Sequence, residues 1–483
     1  MAKTTTHEGA IQYDHSLNHA LEFFSKAGSL YSTKTKKAFY GNENEAKAVD
    51  LFVDVWASGN KKLGMQLLFW LRDCRGGAGN RSGFRDCLKW LAKTDPAWVE
   101  ANVEYIPAHG RWDDCRVLFG TPIERSIAKV WGDAISNGDH LASKWADRND
   151  KPILNFLRYN KKVKDIGDFR RMLARNREGI VERNMCFRNW KKINYEHVPS
   201  VAMSRYTNAF NKNDAERFAD FKQAVEKGEK KIKASVLFPH DCARTVENGD
   251  AQVADAQFNA LPNFLEGANQ RIMTIVDSSD SMNCSIGGGI RAIDVSTSLG
   301  LYCSDRLGKN NPFYRSFMQF SSESKLNNWK GKKFSQAINE FNGAIGGTRI
   351  DKALDTILNF ATSFGATNEQ IPNVLLIVSD MQFHEGTSDG GYWGGKSGEY
   401  NLNFTEVEKC MTRWENAGYT RPKILYWNLA GYAGAPTTIN HKDVGLVSGF
   451  SPSILKAVFG GEDFSPEAIM LRAVEKYKVN VPA

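Results

Sequence analysis

The spacing of apolar residues along the chain changes character near residue 265. Before that point apolar residues recur every three or four positions, which is typical of amphipathic helices, and strand-like alternation is scarce. The stretch EAKAVDLFVDVWASG, for example, places Val49, Phe52 and Trp56 on one helical face. After that point short β-rich runs alternate with amphipathic helices, which indicates a mostly parallel sheet covered on both faces. We therefore predict a helical domain at 1–264 and an α/β domain at 265–483.

The same pattern predicts the individual elements. In the first domain, helices are predicted in the stretches EAKAVDLFVDVWASG, LGMQLLFWLRDCRGG, RSGFRDCLKWLAKTDP, PIERSIAKVWGDAIS, DIGDFRRMLARNREGIVERN and DAERFADFKQAVEKGEKKI. Consecutive helices of this kind stack into bundles or solenoids, but no clean period is present, so a repeat is a hypothesis only. In the second domain, strands are predicted in RIMTIVDSS, PFYRSFMQF, NVLLIVSDMQF and PKILYWNLAG, and helices in AIDVSTSLGLYCSDRLG, DKALDTILNFATSFG and FTEVEKCMTRWENAG.

Length and composition narrow the class of protein. A chain of 483 residues is too long for a single hydrophobic core, which agrees with two domains. It has no run of about 18 apolar residues, and its N-terminus lacks the apolar stretch of a secretory signal, so we expect no membrane association. The eight cysteines are scattered without a CxxC pair, which argues against a zinc ribbon and for reduced thiols. We therefore expect a cytoplasmic protein, and a monomer.

Positive charge is concentrated in one segment of the chain. The whole sequence has a formal net charge of +8, whereas residues 151–233 contain 21 Lys or Arg against 10 Asp or Glu, an excess of +11. The remainder of the chain therefore carries a net negative charge. A concentrated basic face attracts polyanions, and so large an excess of like charge destabilises a fold unless a partner neutralises it.

Residues with oxygen-bearing side chains occur in three separate segments, at the ends of two predicted strands and on one glycine loop. The first strand ends in Asp277, Ser279 and Ser281, in the pattern D-x-S-x-S; a glycine loop carries Thr348, and a later strand ends in Asp380. The carboxyl ends of parallel strands meet at one edge of a sheet, and ligands bind there. Two carboxylates and three hydroxyls suit Mg²⁺ or another hard divalent cation, with a partner's carboxylate or phosphate completing the site. The alternative is that these residues merely cap helices.

The segment after the last of these residues is rich in glycine. It reads FHEGTSDGGYWGGKSGEYNLNF and contains Tyr392 and Trp393. Because it leaves the same edge of the predicted sheet, it either folds over the cation or forms an ordinary surface insertion.

These three motifs resemble the metal-ion-dependent adhesion site of a von Willebrand factor A domain. The motifs are D-x-S-x-S at Asp277–Ser281, G-G-T at Gly346–Thr348 and S-D at Ser379–Asp380. The resemblance covers roughly residues 265–483 and implies a Rossmann-like α/β fold. It also implies that the two serines of the first motif and the threonine contact the metal, directly or through water. The first and last aspartates would bind the metal or hold its waters.

A second resemblance spans nearly the whole chain. The stretches RDCRGGAGNRSGFRDCLKWL, IPAHGRWDDCRVLFG, INYEHVPSVAMSRY and KIKASVLFPHD are similar to a family of largely uncharacterised proteins related to the Ro autoantigen. Those TROVE-related proteins join an all-α, HEAT-like helical module to a C-terminal von Willebrand factor A domain. Ro proteins bind small structured RNAs on the outside of a helical ring and take single-stranded RNA ends into its central hole. The resemblance therefore implies a multidomain, RNA-binding protein.

The basic segment and one arginine-rich loop supply the candidate phosphate contacts. Arg suits phosphate because its planar fork bonds bidentately. The candidates are Arg75, Arg81, Lys161, Lys162, Lys164, Arg170, Arg171, Arg175, Arg177, Lys191, Lys192 and Arg205. Interleaved aromatic residues are candidates for stacking on unpaired bases: Tyr159, Phe169, Phe187 and Trp190. The ordinary explanation for each residue is a solvated helix face or a core aromatic.

The leading interpretation is a non-catalytic, Ro-like protein that binds small structured or single-stranded RNA and holds Mg²⁺ in its second domain. The sequence has no Ser/His/Asp set, no standard nucleotide-binding loop and no nuclease-type carboxylate cluster. The alternative is a protein-interaction adaptor whose metal captures an acidic residue of a partner. A third reading, metal-assisted phosphoryl chemistry, lacks an evident general base.

Overall fold

Helices form most of the regular structure up to residue 259, and a sheet with flanking helices follows from residue 272. The order of a helical region and an α/β domain is thus as predicted. In this computed structural model the described residues are 3–5, 11–13, 18–30, 47–287, 290–343, 346–381, 383, 406–430 and 443–482. Among them, no helix combines the length and apolar character that crossing a membrane requires.

The first region contains fifteen described helices. They are α1 (His19–Lys26), α2 (Ala48–Ala57), α3 (Lys61–Arg72), α4 (Arg81–Thr94), α5 (Pro96–Ala101), α6 (Tyr105–His109), α7 (Glu124–Ser136), α8 (His140–Trp145), α9 (Lys151–Tyr159), α10 (Ile166–Asn176), α11 (Val181–Cys186), α12 (Ser200–Asn213), α13 (Ala215–Glu226), α14 (Pro239–Glu247) and α15 (Ala251–Asn259). Short 3₁₀ turns lie at Ala27–Ser29, Trp112–Leu118, Trp190–Lys192 and Tyr195–His197.

Two local features differ from the predicted all-α region. A small antiparallel hairpin joins strands β1 (Lys3–Thr5) and β2 (Ile11–Tyr13). The stretch predicted as one helix from Asp165 onward forms α10 and α11 instead. Between them Gly179 has a φ of +86°, a left-handed conformation that a right-handed helix cannot continue through.

The second region begins with β3 (Ile272–Asp277), and the elements after it follow in chain order. They are β4 (Ser285–Gly287), β5 (Ile290–Arg291), α16 (Ala292–Arg306), β6 (Ser316–Phe320), β7 (Ser324–Asn328), α17 (Phe334–Phe341), α18 (Ile350–Ser363), β8 (Val374–Ser379), α19 (Glu406–Asn416), β9 (Lys423–Asn428), β10 (Val444–Ser448), α20 (Leu455–Phe459) and α21 (Pro466–Val474). Further 3₁₀ turns lie at Asp280–Asn283 and Pro452–Ile454.

Six of these strands form one sheet in the order β10-β9-β8-β3-β6-β7. All neighbours pair in parallel except β6 and β7, which form an antiparallel hairpin at one edge. All six residues of β3 are buried, as expected for a central strand covered on both faces. The strand β7 escaped prediction because its sequence, SKLNN, is polar and mostly accessible at the edge of the sheet.

The two faces of the sheet pack into different cores. On one face Met273, Ile275 and Ile377 pack with α18 and α19. On the other face Val276 and Leu376 join a core that extends through α16 into the helical region. A third, smaller core lies around α12 and α13 and is composed of residues from that part of the helical region. The large core is therefore shared by both predicted domains.

Hydrogen bonds near both ends of the chain join the two regions. In the N-terminal helical segment, the Gly28 backbone N–H donates to Ser448 Oγ at 3.1 Å, and Ser29 Oγ donates to the Asn428 carbonyl at 2.5 Å. Near the C-terminus, Asn480 pairs with the Asn102 side chain, which donates to the Asn480 carbonyl at 2.8 Å and accepts from its N–H at 2.8 Å. The predicted boundary at 264/265 falls between α15 and β3, and the contacts across it are extensive.

We expect that replacing Asn102 by alanine destabilises the fold. The Asn102 side chain is 1% exposed and satisfies two backbone groups of the C-terminal segment, which lose their partners in the variant. Such a loss costs about 2 kcal/mol. Urea unfolding followed by tryptophan fluorescence measures the change. Asn208→Ala, at an exposed position of α12, is the control and should leave stability nearly unchanged. Equal midpoints for the two variants would contradict the assigned role of Asn102.

Candidate metal site and basic surface

The loop after β3 is organised around the Asp277 carboxylate. Asp277 is fully buried, and its Oδ1 accepts hydrogen bonds from the Ser279 N–H at 2.9 Å and from Ser279 Oγ at 2.7 Å. Ser279 Oγ also lies 3.0 Å from Ser281 Oγ. The D-x-S-x-S stretch therefore gathers one carboxylate and two hydroxyls within hydrogen-bonding distance, where the 3₁₀ turn at Asp280–Asn283 begins.

The end of β8 meets this loop because β8 pairs directly with β3. Ser379 Oγ donates to Asp277 Oδ2 at 2.5 Å, and Asp380, the next residue, is fully buried. Burial raises the pKa of Asp277 to about 7, and the negative charge of Asp380 contributes to that rise. Two carboxyl groups thus share a water-poor site, which favours either a bound proton or a bound cation. The sequence motif included Ser379, but its hydrogen bond to Asp277 was not foreseen.

The glycine loop that carries Thr348 contacts the first loop through its backbone. The Asp280 N–H donates to the Gly346 carbonyl at 2.8 Å. Gly346 has a φ of +86°, and a Cβ there would lie 2.4 Å from Ser322 Oγ, so only glycine fits. Thr348 follows at 2% exposure. All five predicted ligands are thus carried by loops at the same edge of the sheet.

The donor set suits a hard cation. Within the described part of the chain, no group of three or more His, Cys, Asp or Glu side chains is placed to hold a metal. The cluster at the sheet edge instead offers two carboxylates with neighbouring hydroxyls, which are oxygen ligands of the kind that Mg²⁺ accepts together with water. The residues therefore fit such an ion, with two negative charges from the protein. The glycine-rich segment with Tyr392 and Trp393 lies outside the described residues.

Most of the candidate phosphate contacts lie on the surface. Eleven of the twelve residues are exposed, and Arg177 is the exception. Lys161, Lys162 and Lys164 follow the end of α9, whereas three of the arginines lie on α10. The second predicted group, Lys191, Lys192 and Arg205, lies on helices that pack around the separate third core. The two groups are therefore carried by separately packed parts of the helical region.

Arg177 has a structural position, contrary to its selection as a phosphate contact. Its Nε donates to the Ser143 carbonyl at 2.7 Å, and its guanidinium also donates to the Ala146 carbonyl at 2.5 Å. These carbonyls lie at the end of α8, where the helix has no internal donors left for them. Arg177 therefore ties α10 to the end of α8.

The four candidate stacking residues divide into two classes. Phe169 is fully buried in the large core, and Trp190 packs against the third core, so neither offers an open ring. Tyr159 is 82% exposed, and Phe187 is 63% exposed with the Arg183 guanidinium 5.1 Å from its ring centre. Sequence spacing alone does not separate the two classes, because all four rings lie among basic residues.

An open pocket of about 670 Å³ lies at the end of α9. It is lined by Asn155, Arg158, Tyr159, Lys161, Val163 and Lys164. Two predicted lysines and one predicted aromatic residue thus share one concave surface. Asn155 and Arg158 were not predicted, although Asn155 precedes Arg158 by three residues and Tyr159 by four, a spacing that makes it a neighbour of both on a helix.

The arginine-rich loop before α4 contributes to a second positive region. Arg75 and Arg81 are exposed, and Arg111, which was not predicted, lies near Arg81 with its guanidinium 5.3 Å from the ring centre of Trp145. Burial lowers the pKa of Arg111, and the positive charges of Arg72 and Arg81 lower it further. Arginines distant in sequence therefore converge here and repel one another.

Two families of known proteins match this chain, one in each region. Residues 120–278 match the family described as Domain of unknown function (DUF2828), and residues 271–480 match the family described as Domain of unknown function (DUF7788). The chain is 22% identical to the uncharacterized protein L728 of Acanthamoeba polyphaga mimivirus over 498 residues, which cover 89% of this chain and 82% of that protein.

Among solved structures, the crystal structure of the Deinococcus radiodurans Ro (RSR) protein is similar to this chain. The sequence identity is 14%, the match covers 95% of this chain and 100% of that one, and the TM-score is 0.38. A TM-score this low carries no argument about function. The fold itself defines the structural class of the protein, which is a helical region followed by an α/β domain with a mixed, mostly parallel sheet.

Arg177→Ala is expected to destabilise the protein by about 2 kcal/mol, because it leaves two carbonyls at the end of α8 without their charged donor. Arg175→Ala, at an exposed position two residues earlier, is the matched control and should change stability by less than about 0.5 kcal/mol. Chemical denaturation of the two variants provides the measurement. If Arg175→Ala is the more damaging change, the assignment of Arg177 to the framework is wrong.

Proposed function

We propose that this protein is a Ro-like RNA-binding protein whose basic helical surface binds small structured or single-stranded RNA, with a divalent-cation site in its α/β domain. The observation that carries the proposal is the exposure of the basic residues around α9 and α10. Eleven of the twelve candidate basic residues project into solvent, and the segment 151–233, which carries most of them, has an excess of +11 positive charges. Such a surface favours polyanions.

Among the described residues, the acidic side chains beside α10 neutralise Arg171 but not the lysines at 161 and 162. Asp165 caps α10 by accepting from the Asp168 N–H at 2.9 Å. Asp168 in turn accepts from the Lys164 N–H at 3.0 Å and pairs with Arg171 at 2.5 Å. Within the described residues, the lysines at 161 and 162 form no ion pair within 4.0 Å, so their charge is available to a ligand. We propose no catalytic role for the surface.

Reversing the charge at Lys161, Lys162 and Lys164 to glutamate should weaken binding to all RNA sequences alike. Each phosphate contact that is lost removes about 0.7 from the slope of log affinity against log salt for a single strand, so the triple variant should lower that slope by about 2. Fluorescence anisotropy with a labelled RNA between 50 and 300 mM KCl gives both quantities. An affinity that does not change with salt would contradict the electrostatic part of the proposal.

A matched control carries the same change in charge elsewhere on the chain. Lys309, Lys325 and Lys330 are exposed in the α/β domain, and their replacement by glutamate changes the net charge equally. This variant should keep most of the affinity and a slope close to the wild-type slope. If both triple variants weaken binding to the same extent, the net charge matters and the helical surface does not.

The proposal also assigns Mg²⁺, or a similar cation, to the oxygen cluster at the end of β3. Asp277 and Asp380 would hold the ion, with Ser279, Ser281 and Thr348 as hydroxyl donors. The ion supplies positive charge to which an acidic group of a further ligand can bind. Support comes from the burial of both carboxylates and from the hydrogen bonds that hold the hydroxyls beside Asp277.

Mg²⁺ should raise the unfolding temperature of the wild type and leave that of Asp277→Asn unchanged. At one hundred times the dissociation constant, binding stabilises a folded protein by about 2.7 kcal/mol. Without Mg²⁺ the variant should be at least as stable as the wild type, because it removes one of two neighbouring buried carboxylates. Differential scanning calorimetry with and without Mg²⁺ measures both effects.

Asp280→Asn is the control for this experiment. Asp280 lies inside the same motif but its side chain is exposed, so the variant should keep the response to Mg²⁺. A response that survives Asp277→Asn would refute the site. Loss of a co-purifying protein in Asp277→Ala, with RNA affinity intact, would favour the adaptor interpretation instead.

A further inference from the structure

The pocket at the end of α9 combines an open aromatic ring with several cationic side chains. Asn155, Arg158 and Tyr159 lie on one face of α9, since residues three and four apart are neighbours on a helix. Lys161 and Lys164, from the turn that follows, also line the pocket, together with the buried Val163. Tyr159 is 82% exposed, which is a high exposure for an aromatic side chain.

Lys161 lies at the C-terminal end of α9, in a backbone conformation that favours glycine. The helix ends in a Schellman motif, in which the Lys161 N–H donates to the Arg158 carbonyl at 3.0 Å and the Lys162 N–H donates to the Leu157 carbonyl at 2.9 Å. Lys161 occupies the left-handed position of that motif, with a φ of +55°, where glycine is the unstrained residue. The chain thus keeps a strained lysine at the rim of the pocket.

We propose that this pocket binds one unpaired nucleotide of an RNA strand, with its base stacked on Tyr159 and its flanking phosphates held by Arg158, Lys161 and Lys164. The inference rests on the proposed RNA-binding function and goes beyond it by naming the subsite and the form of RNA. A stack on Tyr159 requires a base that is not paired in a helix, so a duplex cannot use the ring in this way.

Size and charge agree with this ligand. The pocket is open to solvent, and its volume of about 670 Å³ leaves room for one nucleotide. A nucleotide within a strand has a phosphate on each side. Three cationic side chains in the pocket match these two negative charges. The Asn155 side chain offers an amide, whose donor and acceptor suit the edge of a base.

The test compares the full-length wild type with Tyr159→Ala, using a fluorescein-labelled twelve-residue oligouridylate and a blunt RNA duplex in anisotropy titrations at 100 mM KCl. Tyr159→Ala should lower the affinity for the oligouridylate about tenfold or more, the usual effect of removing one base–aromatic stack. Its affinity for the duplex should be unchanged. Tyr159→Phe keeps the ring and should bind the oligouridylate within about twofold of the wild type.

Lys161→Gly provides a second variant in which stability and binding should move in opposite directions. Glycine relieves the left-handed strain, so the unfolding temperature should rise. The loss of one cation should weaken binding of the oligouridylate several-fold and lower its salt slope by about 0.7. A rise in stability without any loss of affinity would overturn the assignment of Lys161 to the pocket.

The remaining outcomes separate the inference from the proposed function. If the wild type binds both RNAs and Tyr159→Ala binds the oligouridylate equally well, the inference is overturned and the proposed function stands. If the wild type binds neither RNA, both are overturned. If uridine 5′-monophosphate displaces the oligouridylate at a concentration near the dissociation constant of the strand, the pocket takes a free nucleotide and the assignment to a strand is wrong.

Discussion

A mostly parallel sheet must be covered on both of its faces. In this protein, helices far away in the sequence help to cover one of them. The Gly28–Ser448 contact joins residues 420 positions apart, and the large core runs from α1 and α3 to β3, β8 and β9 without a break. Burying apolar surface in this way contributes about 1.5–3 kcal/mol for each large side chain. The helical region therefore stabilises the sheet as well as carrying the basic surface.

The same burial fixes the chemistry at the edge of the sheet. Because β3 is buried along its whole length, Asp277 at its end is withdrawn from water together with Asp380. Two carboxylates in such surroundings repel each other unless a proton or a cation lies between them. Ser279 and Ser379 are held by hydrogen bonds to Asp277, and Ser281 is held by Ser279, so the hydroxyls are already gathered around the carboxylate.

The sequence predicts the strongly periodic parts of this fold better than its edges. The strands β3 and β8 are evident as continuous apolar runs, whereas β7 at one edge is polar and mostly accessible. The strand β10 at the other edge is buried but was also not predicted, because its run VGLVS is short. The convergence of the oxygen cluster follows from strand order and was therefore foreseeable. The role of Arg177 was not, because a basic residue that binds carbonyls has the same sequence signature as one that faces solvent. Phe169 and Tyr159 differ in the same way, since only packing decides which ring is buried.

The contacts between the first helices and the last elements of the chain determine when the fold can be completed during synthesis. The ribosome releases α1 and α3 long before β10 and Tyr477, whose hydroxyl bonds to Asp73 across 404 positions. At about 5–20 residues per second, these helices are made roughly 20–80 seconds before those distant partners, although they can pack against α2 and α4 soon after synthesis. The contacts that unite the two regions therefore form late in synthesis, whereas those among the first helices do not have to wait for them.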